Sequence, residues 1–169
     1  PGAAQRTFDG LPGSWCHIQE SVIDSGALAS TLTKQRIEQV FYGAAVTSGP
    51  ERERDTPESV LSINLVGLAT VAKLAAKAGI RRLINLSSAS AYGLPDGDES
   101  DWPPTLHEEH TRERPVSLYA LSKFATEITT RRIAALTGLD ALSVRLSSIF
   151  GPWERDTGFR DTLSAPLQA

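Results

Sequence analysis

The chain has 169 residues, of which 40% are hydrophobic and 22% charged, and its formal net charge is −3 at pH 7. This is ordinary composition for one domain with a real core, and the absence of a basic run sets nucleic-acid binding aside. One cysteine, Cys16, rules out an intramolecular disulfide and fits a reducing cytoplasm, while no apolar run approaches the ~20 residues a membrane helix needs.

The start, Pro1-Gly2-Ala3-Ala4, carries no signal-peptide pattern. The chain contains no methionine, so its numbering is expected to begin inside a longer protein. Residues 1–14 read as irregular, with Gly10, Pro12 and Gly13 as turn formers. Trp15-Cys16-His17-Ile18 is predicted as a short buried strand, which makes Cys16 an inert core thiol. Asp24-Ser25 caps a helix running through Ala27, Leu28, Leu32 and Ile37. Gln39 to Ala45 is an apolar strand ending in small residues, and Ser48-Gly49-Pro50 with the charged Glu51 to Asp55 forms a loop. Leu61, Leu65, Leu68, Ala72 and Ala75 recur at helical spacing and predict a helix from Pro57 to Ala78, ended by Gly79. Arg82 to Ser87 is a buried strand. Residues 94–116, rich in Pro, Gly, Asp and Glu, form a long surface loop of the kind that often carries function. A helix from Tyr119 to Leu136 has Phe124, Ile128 and Ile133 as its core stripe. Ala141 to Leu146 is the last strand, broken by Gly151-Pro152-Trp153.

Alternation of this kind predicts an α/β fold: a doubly wound parallel sheet with helices on both faces. Ligands bind such sheets at the carboxyl ends of the strands. Gly43-Ala44-Ala45 and the hydroxyl-rich Ser87-Ser88-Ala89-Ser90 fall at two such ends and should line one crevice. Tyr119 and Lys123, four apart in a helix, leave the same helix face. A phenol beside an ammonium, near serine hydroxyls, is a proton-transfer device. A free phenol titrates near ~10, too high for a base at neutral pH, and a neighbouring cation lowers that value. Lowering a pKa by one corresponds to ~1.4 kcal/mol of differential interaction.

Five segments, in order, carry a family resemblance. They are Val40-Phe41-Tyr42-Gly43-Ala44-Ala45, Asn64-Leu65-Val66-Gly67, Asn85 to Gly93 (NLSSASAYG), Pro115 to Lys123 (PVSLYALSK) and Arg145 to Pro152 (RLSSIFGP). The chain resembles the extended short-chain dehydrogenase/reductase family, the NAD-dependent nucleotide-sugar epimerases and dehydratases. The resemblance implies a Rossmann-like sheet and NAD as cofactor, with NADP also open. It further implies a sugar or nucleotide-sugar substrate, a homodimer, and no metal, nucleic acid or membrane. It makes Tyr119 the acid/base, Lys123 the residue that also holds the nicotinamide ribose, and Ser88 the hydroxyl that polarises the substrate oxygen. It sets Gly43, Ala44, Ala45, Asn64, Ser87 and Ser147 near the cofactor, and Ser90 and Ser148 near the substrate. Bland readings stand beside several of these: close helix–strand packing for Gly43 and Ala44, a buried structural amide for Asn64, and a strand-end cap for Ser90. Glu108 and Glu109 read as solvated charge, and Trp153, Arg155 and Thr157 as residues approaching the substrate.

The sequence also departs from the family. No Gly-x-x-Gly-x-x-Gly loop is present to cradle a pyrophosphate, Gly10 and Gly13 being too sparse. Ser21 stands where the family has an Asp near adenine, and Ser147-Ser148 where it has Phe-Asn. Ala89 and Ser90 occupy the positions of the dehydratases' Asp-Glu pair, which argues against dehydration. The expectation is a Rossmann-like sheet lacking its first βαβ phosphate-binding unit and most of the C-terminal substrate domain. Residues 1–150 would be a partial NAD(P)-binding domain and 151–169 the start of a truncated substrate-binding region. The expected function is an NAD(P)-dependent sugar or nucleotide-sugar epimerase or oxidoreductase; the alternative is a catalytically incompetent fragment or a non-catalytic cofactor-binding protein.

Overall fold

The computed structural model describes residues 12–93, 105–108, 114–151, 158 and 161. Helix α1 (Ser25–Lys34) starts at Asp24, whose Oδ1 accepts from the Gly26 and Ala27 amides at 3.0 and 3.1 Å. Strand β1 (Gln39–Tyr42) follows, then the short helix α2 (Pro50–Asp55) and the long helix α3 (Pro57–Lys77). Strand β2 (Arg82–Ser88) runs into a 3₁₀ turn, Ala89–Tyr92. Helix α4 (Leu118–Thr137) and strand β3 (Ala141–Leu146) complete the described elements. Ser117 caps α4 by accepting from the Ala120 amide at 3.1 Å, and Gly138 ends it in the left-handed region at φ 75°.

The strands form a parallel sheet in the order β1-β2-β3. Tyr42 pairs with Asn85, and Leu83 to Ser88 pair with Ala141 to Leu146. Because strand side chains alternate faces, Tyr42, Leu83, Asn85 and Ser87 are buried on one side, under α3 and α4. The core there joins Leu32, Tyr42, Leu68, Val71, Ala72, Ala75, Ile80, Leu83 and Leu139. On the other face Phe41, Leu142 and Val144 are exposed. Gly67 lets α3 close on β1: a Cβ there would sit 2.5 Å from the Tyr42 hydroxyl and 2.8 Å from Val22. That hydroxyl donates to the Ile63 carbonyl, and burial pushes its pKa up.

Several expectations need correction. Trp15–Ile18 is not a strand, and Cys16 is exposed rather than buried. An extended segment becomes a strand only by pairing, and these residues join none of the described ladders. Glu51 to Asp55 is helical rather than loop. Pro50 fixes the first turn and Glu51 and Glu53 suit the positive N-terminal end. Helix α3, at 21 residues, is by length and composition long and apolar enough to cross a membrane, which the sequence expectation did not anticipate. Its Val60, Leu68, Val71, Ala72 and Ala75 are buried within this fold. Its middle, Ser62–Val66, widens into a π-turn that shifts the phase, so Asn64 is buried while Leu61 and Leu65 are half-buried. Of the expected stripe on α4, Ile133 packs against the core and Phe124 is half-buried, but the fully buried face is a different one. It is Ala120, Ser122, Lys123, Thr126, Glu127 and Thr130, with Ile128 45% exposed.

Candidate active site

The carboxyl ends of the three strands open into a cleft of about 530 Å³. Its lining includes Gly43, Ala45 and Thr47 after β1, Leu86 to Ser90 from β2 and its 3₁₀ turn, Tyr119 and Lys123 from α4, and Leu146 to Ile149 after β3. The structure therefore brings Ser88, Tyr119, Lys123, Gly43, Ala45, Ser87, Ser90, Ser147 and Ser148 to one cavity. Ala44 instead packs against the hydrophobic core, and Asn64 lies beneath the cleft, 1% exposed. Glu108 is exposed; Glu109, Trp153, Arg155, Thr157 and most of the expected 94–116 loop lie outside the described residues.

Lys123 is the electrostatic centre. Its ammonium donates to the Leu86 carbonyl at 2.8 Å and lies 5.8 Å from the centre of the Tyr119 ring. Burial lowers its pKa to about 8. An ammonium has three N–H groups, so a ribose hydroxyl can still be bound. Ser88 Oγ accepts from the Ser90 amide at 3.2 Å, holding the hydroxyl at the mouth of the 3₁₀ turn. Ser87 is turned the other way, 4% exposed, with its hydroxyl donating to Glu127.

Two buried frames hold these groups. Asn64 Oδ1 accepts from the Val46 amide at 2.7 Å, and its Nδ2 donates to the Val46 carbonyl and to Ser122 Oγ at 3.1 and 2.8 Å. Ser122 in turn donates to the Tyr119 carbonyl at 2.7 Å. One amide thus ties the segment after β1 to the first turn of α4, which is why the π-turn aims Asn64 inward. Asn64→Leu keeps the volume but strands the buried Val46 amide and carbonyl. It should lower the free energy of unfolding by about 3 kcal/mol, read by urea denaturation; a loss under about 1 kcal/mol would show that the amide is not the tie. The second frame is Glu127, clamped by Arg145 at 2.9 and 2.7 Å.

Helix α2 braces the entrance. Glu53 accepts from Ser48 Oγ at 2.9 Å and from the Tyr119 amide at 3.2 Å, setting a carboxylate on the positive end of α4. Arg52 pairs with Asp161 at 2.7 Å and, through that hydrogen bond, holds the Asp161 carboxyl below its ordinary pKa. Sequence reasoning missed Glu53, Ser122, Glu127 and Arg145 as site supports. Glu127 was visible in principle, since it lies one further turn beyond Lys123 on the same face.

The arrangement suits proton transfer at a substrate hydroxyl, with phenol, ammonium and serine hydroxyl in one cleft. It also fits the nicotinamide end of a dinucleotide. Gly43 leaves the cleft wall bare of side chain, its virtual Cβ 3.4 Å from Leu86, and Lys123 faces the same space.

Residues 7–167 match the model of the NAD dependent epimerase/dehydratase family. Among curated proteins, the chain is 29% identical over 136 residues to UDP-glucose 4-epimerase of Mycolicibacterium smegmatis, covering 80% of this chain and 41% of that one. It is 30% identical over 112 residues to UDP-glucuronate 4-epimerase 6 of Arabidopsis thaliana, covering 66% of this chain and 23% of the relative. Among solved structures, UDP-glucose 4-epimerase of Thermotoga maritima with UDP-glucose superposes with a TM-score of 0.73 at 25% identity, over 85% of this chain and 44% of that one. A dTDP-glucose 4,6-dehydratase of Streptomyces venezuelae shares the fold with a TM-score of 0.75 at 24% identity, over 92% of this chain and 45% of its own. The chain thus spans less than half of each of these proteins. With its parallel α/β sheet and a family match over nearly its whole length, the chain belongs to the NAD-dependent epimerase/dehydratase family.

Proposed function

We propose that this chain supplies the catalytic centre of an NAD-dependent nucleotide-sugar epimerase or dehydrogenase. The observation that carries the reading is the meeting of Ser88, Tyr119 and Lys123 in one cleft beside the bare backbone of Gly43. The bound nicotinamide would accept and return a hydride. Lys123 would hold the nicotinamide ribose with N–H groups not used on Leu86, and its ammonium lies 5.8 Å from the centre of the Tyr119 ring. The deprotonated phenol oxygen of Tyr119 would take the proton from the sugar hydroxyl as the C–H bond on the same carbon breaks and its hydride passes to the nicotinamide. Ser88 hydrogen-bonds the same oxygen, and Ser90 and Ser148 face the sugar. Ser147, Ala45 and Asn64 support the cofactor side, Asn64 by holding Val46.

Ala89 and Ser90 offer no carboxyl group beside Ser88, which favours epimerisation or simple oxidation over dehydration. NAD and NADP both stay open as the cofactor. Residues 1–150 would belong to the dinucleotide domain and 151–169 to the start of the substrate region. Leu121, Ile128 and Leu136 form an exposed stripe on α4, and Val66 is exposed on α3. Pairing of these helices across a two-fold would cover them, so a homodimer is part of the reading.

A second reading rests on the chain spanning less than half of its relatives: these residues alone bind a partner or cofactor without turnover. Calorimetric titration of NAD into the chain tests whether its cleft alone holds the cofactor, and turnover of a nucleotide sugar separates the two readings. Micromolar binding is expected if the cleft is sufficient; no heat would mean that this polypeptide alone is not the enzyme. UDP-glucose and UDP-glucuronate, incubated with NAD and the polypeptide that carries this chain, should yield their C4 epimers by proton NMR. No conversion and no NADH would overturn the proposed activity.

A further inference from the structure

Beneath the cleft lies a charged pair that the proposed chemistry does not use. Glu127 and Arg145 are 8% and 7% exposed at their side chains, and form a two-pronged contact: Nε to Oε1 at 2.9 Å and one terminal nitrogen to Oε2 at 2.7 Å. Burying two charges is costly, and such a pair is weak evidence for stability. What it touches is informative. Glu127 Oε1 also accepts from Ser87 Oγ, and Ser87 pairs with Arg145 across the sheet. The Arg145 guanidinium lies 4.1 Å from the centre of the Tyr92 ring, which is 9% exposed. One turn back on α4, Lys123 holds the Leu86 carbonyl. Contacts therefore grip the chain at Leu86 and Ser87 on one side of Ser88, and at Tyr92 on the other. The hydrogen bonds of Ser88 run to Ser90, inside the gripped segment.

We propose that the Glu127–Arg145 pair is a positioning device. It fixes the Leu86–Tyr92 segment against α4, so that Ser88 and Tyr119 address the same substrate oxygen. Glu127 and Arg145 are positioning residues, since Glu127 acts through Ser87 and Arg145 through Glu127 and Tyr92. Arginine suits this position because its planar fork meets the carboxylate edge-on and stacks its face on an aromatic ring. The inference rests on the reading of Ser88 and Tyr119 as catalytic.

A merely structural pair and a positioning pair respond differently to replacement by an apolar pair. Substituting a buried ion pair with apolar residues of similar volume is often neutral or stabilising. The double variant Glu127→Leu/Arg145→Met is therefore expected to melt no lower than the wild type. It loses the hydrogen bond to Ser87 and the stack on Tyr92, and a misplacement of about 1 Å costs about 10²-fold in rate. In the polypeptide that carries this chain, kcat should fall by about that factor with KM for the nucleotide sugar held. In the cofactor-free protein the amide resonances of Ser88 and Ser90 should shift. A folded double variant with kcat within about threefold of wild type overturns the proposal. If the double variant does not fold, Ser87→Ala decides. A fall in kcat of about fivefold or more with unchanged NAD affinity supports the proposal. Unchanged kcat, or a loss that appears as weaker NAD binding, overturns it. Tyr119→Phe, assayed alongside, keeps the two failures apart: full turnover in that variant removes the reading of the site, whereas full turnover only in the pair variants removes the positioning role.

Discussion

Tyr119→Phe should lower kcat for nucleotide-sugar turnover by about 10³-fold, within the range that a positioned acid/base contributes. The substitution removes one oxygen and keeps the ring that faces Lys123 at 5.8 Å. Tyr119 is half-buried, and its backbone amide and carbonyl carry the ties to Glu53 and Ser122. Both ties survive the change. Stability should therefore stay within about 0.5 kcal/mol of wild type, and NAD affinity should hold because Lys123 and Gly43 are untouched. A rate loss with intact folding and cofactor binding isolates the phenol as the proton acceptor. Turnover within about threefold of wild type would take the proton-transfer role away from it.

The parts of this fold legible in the sequence are those where the local signal and the tertiary packing agree. Asp24 and Gly79 punctuate helices by chemistry that needs no distant partner. β2 and β3 are apolar runs that pair with each other, so their propensity and their neighbours point the same way. Trp15–Ile18 has the same apolar character and no ladder, because pairing is a property of two segments and composition describes one. The face of α4 shows the converse. Apolar periodicity selected Phe124, Ile128 and Ile133, of which Ile133 reaches the core, yet the fully buried face also carries Lys123, Thr126, Glu127 and Thr130. Those polar groups are tolerable there because each finds a partner across the interface: Leu86, Asn85, Ser87 and Arg145, or the preceding turn of the helix. A polar stripe repeating every three to four residues through the Tyr119 motif was present in the sequence. Its meaning depended on the opposite strand carrying Asn85 and Ser87 at matching register, which a linear reading does not supply. Likewise Asn64 was conspicuous inside an apolar helix, but its target, the backbone of Val46, is fixed only by the π-turn.

Lys123→Met should make the protein more stable while abolishing turnover, because the site stores the cost of a buried charge. In the unfolded chain the ammonium titrates at 10.5, and in the fold burial brings this to about 8. Below pH 8 both states are protonated and the folded state carries the whole desolvation cost. Between these values the unfolded chain binds more protons, so rising pH favours folding; above 10.5 both are neutral and the cost is gone. The gap corresponds to about 3 kcal/mol at neutral pH. Methionine matches the length of the lysine stem and carries no charge, but it forfeits the hydrogen bond to the Leu86 carbonyl, worth about 1 kcal/mol. The cofactor-free variant should therefore exceed wild type by about 2 kcal/mol at pH 7 in urea denaturation, with the advantage shrinking by pH 9.5. A variant less stable than wild type at pH 7, or a difference that does not narrow with pH, would show that Lys123 is held by attraction rather than against its own desolvation. Both expected results follow from one placement. The ammonium lies where the fold alone would not put it, one turn from a phenol and against the serine end of β2, which is the arrangement that proton transfer requires.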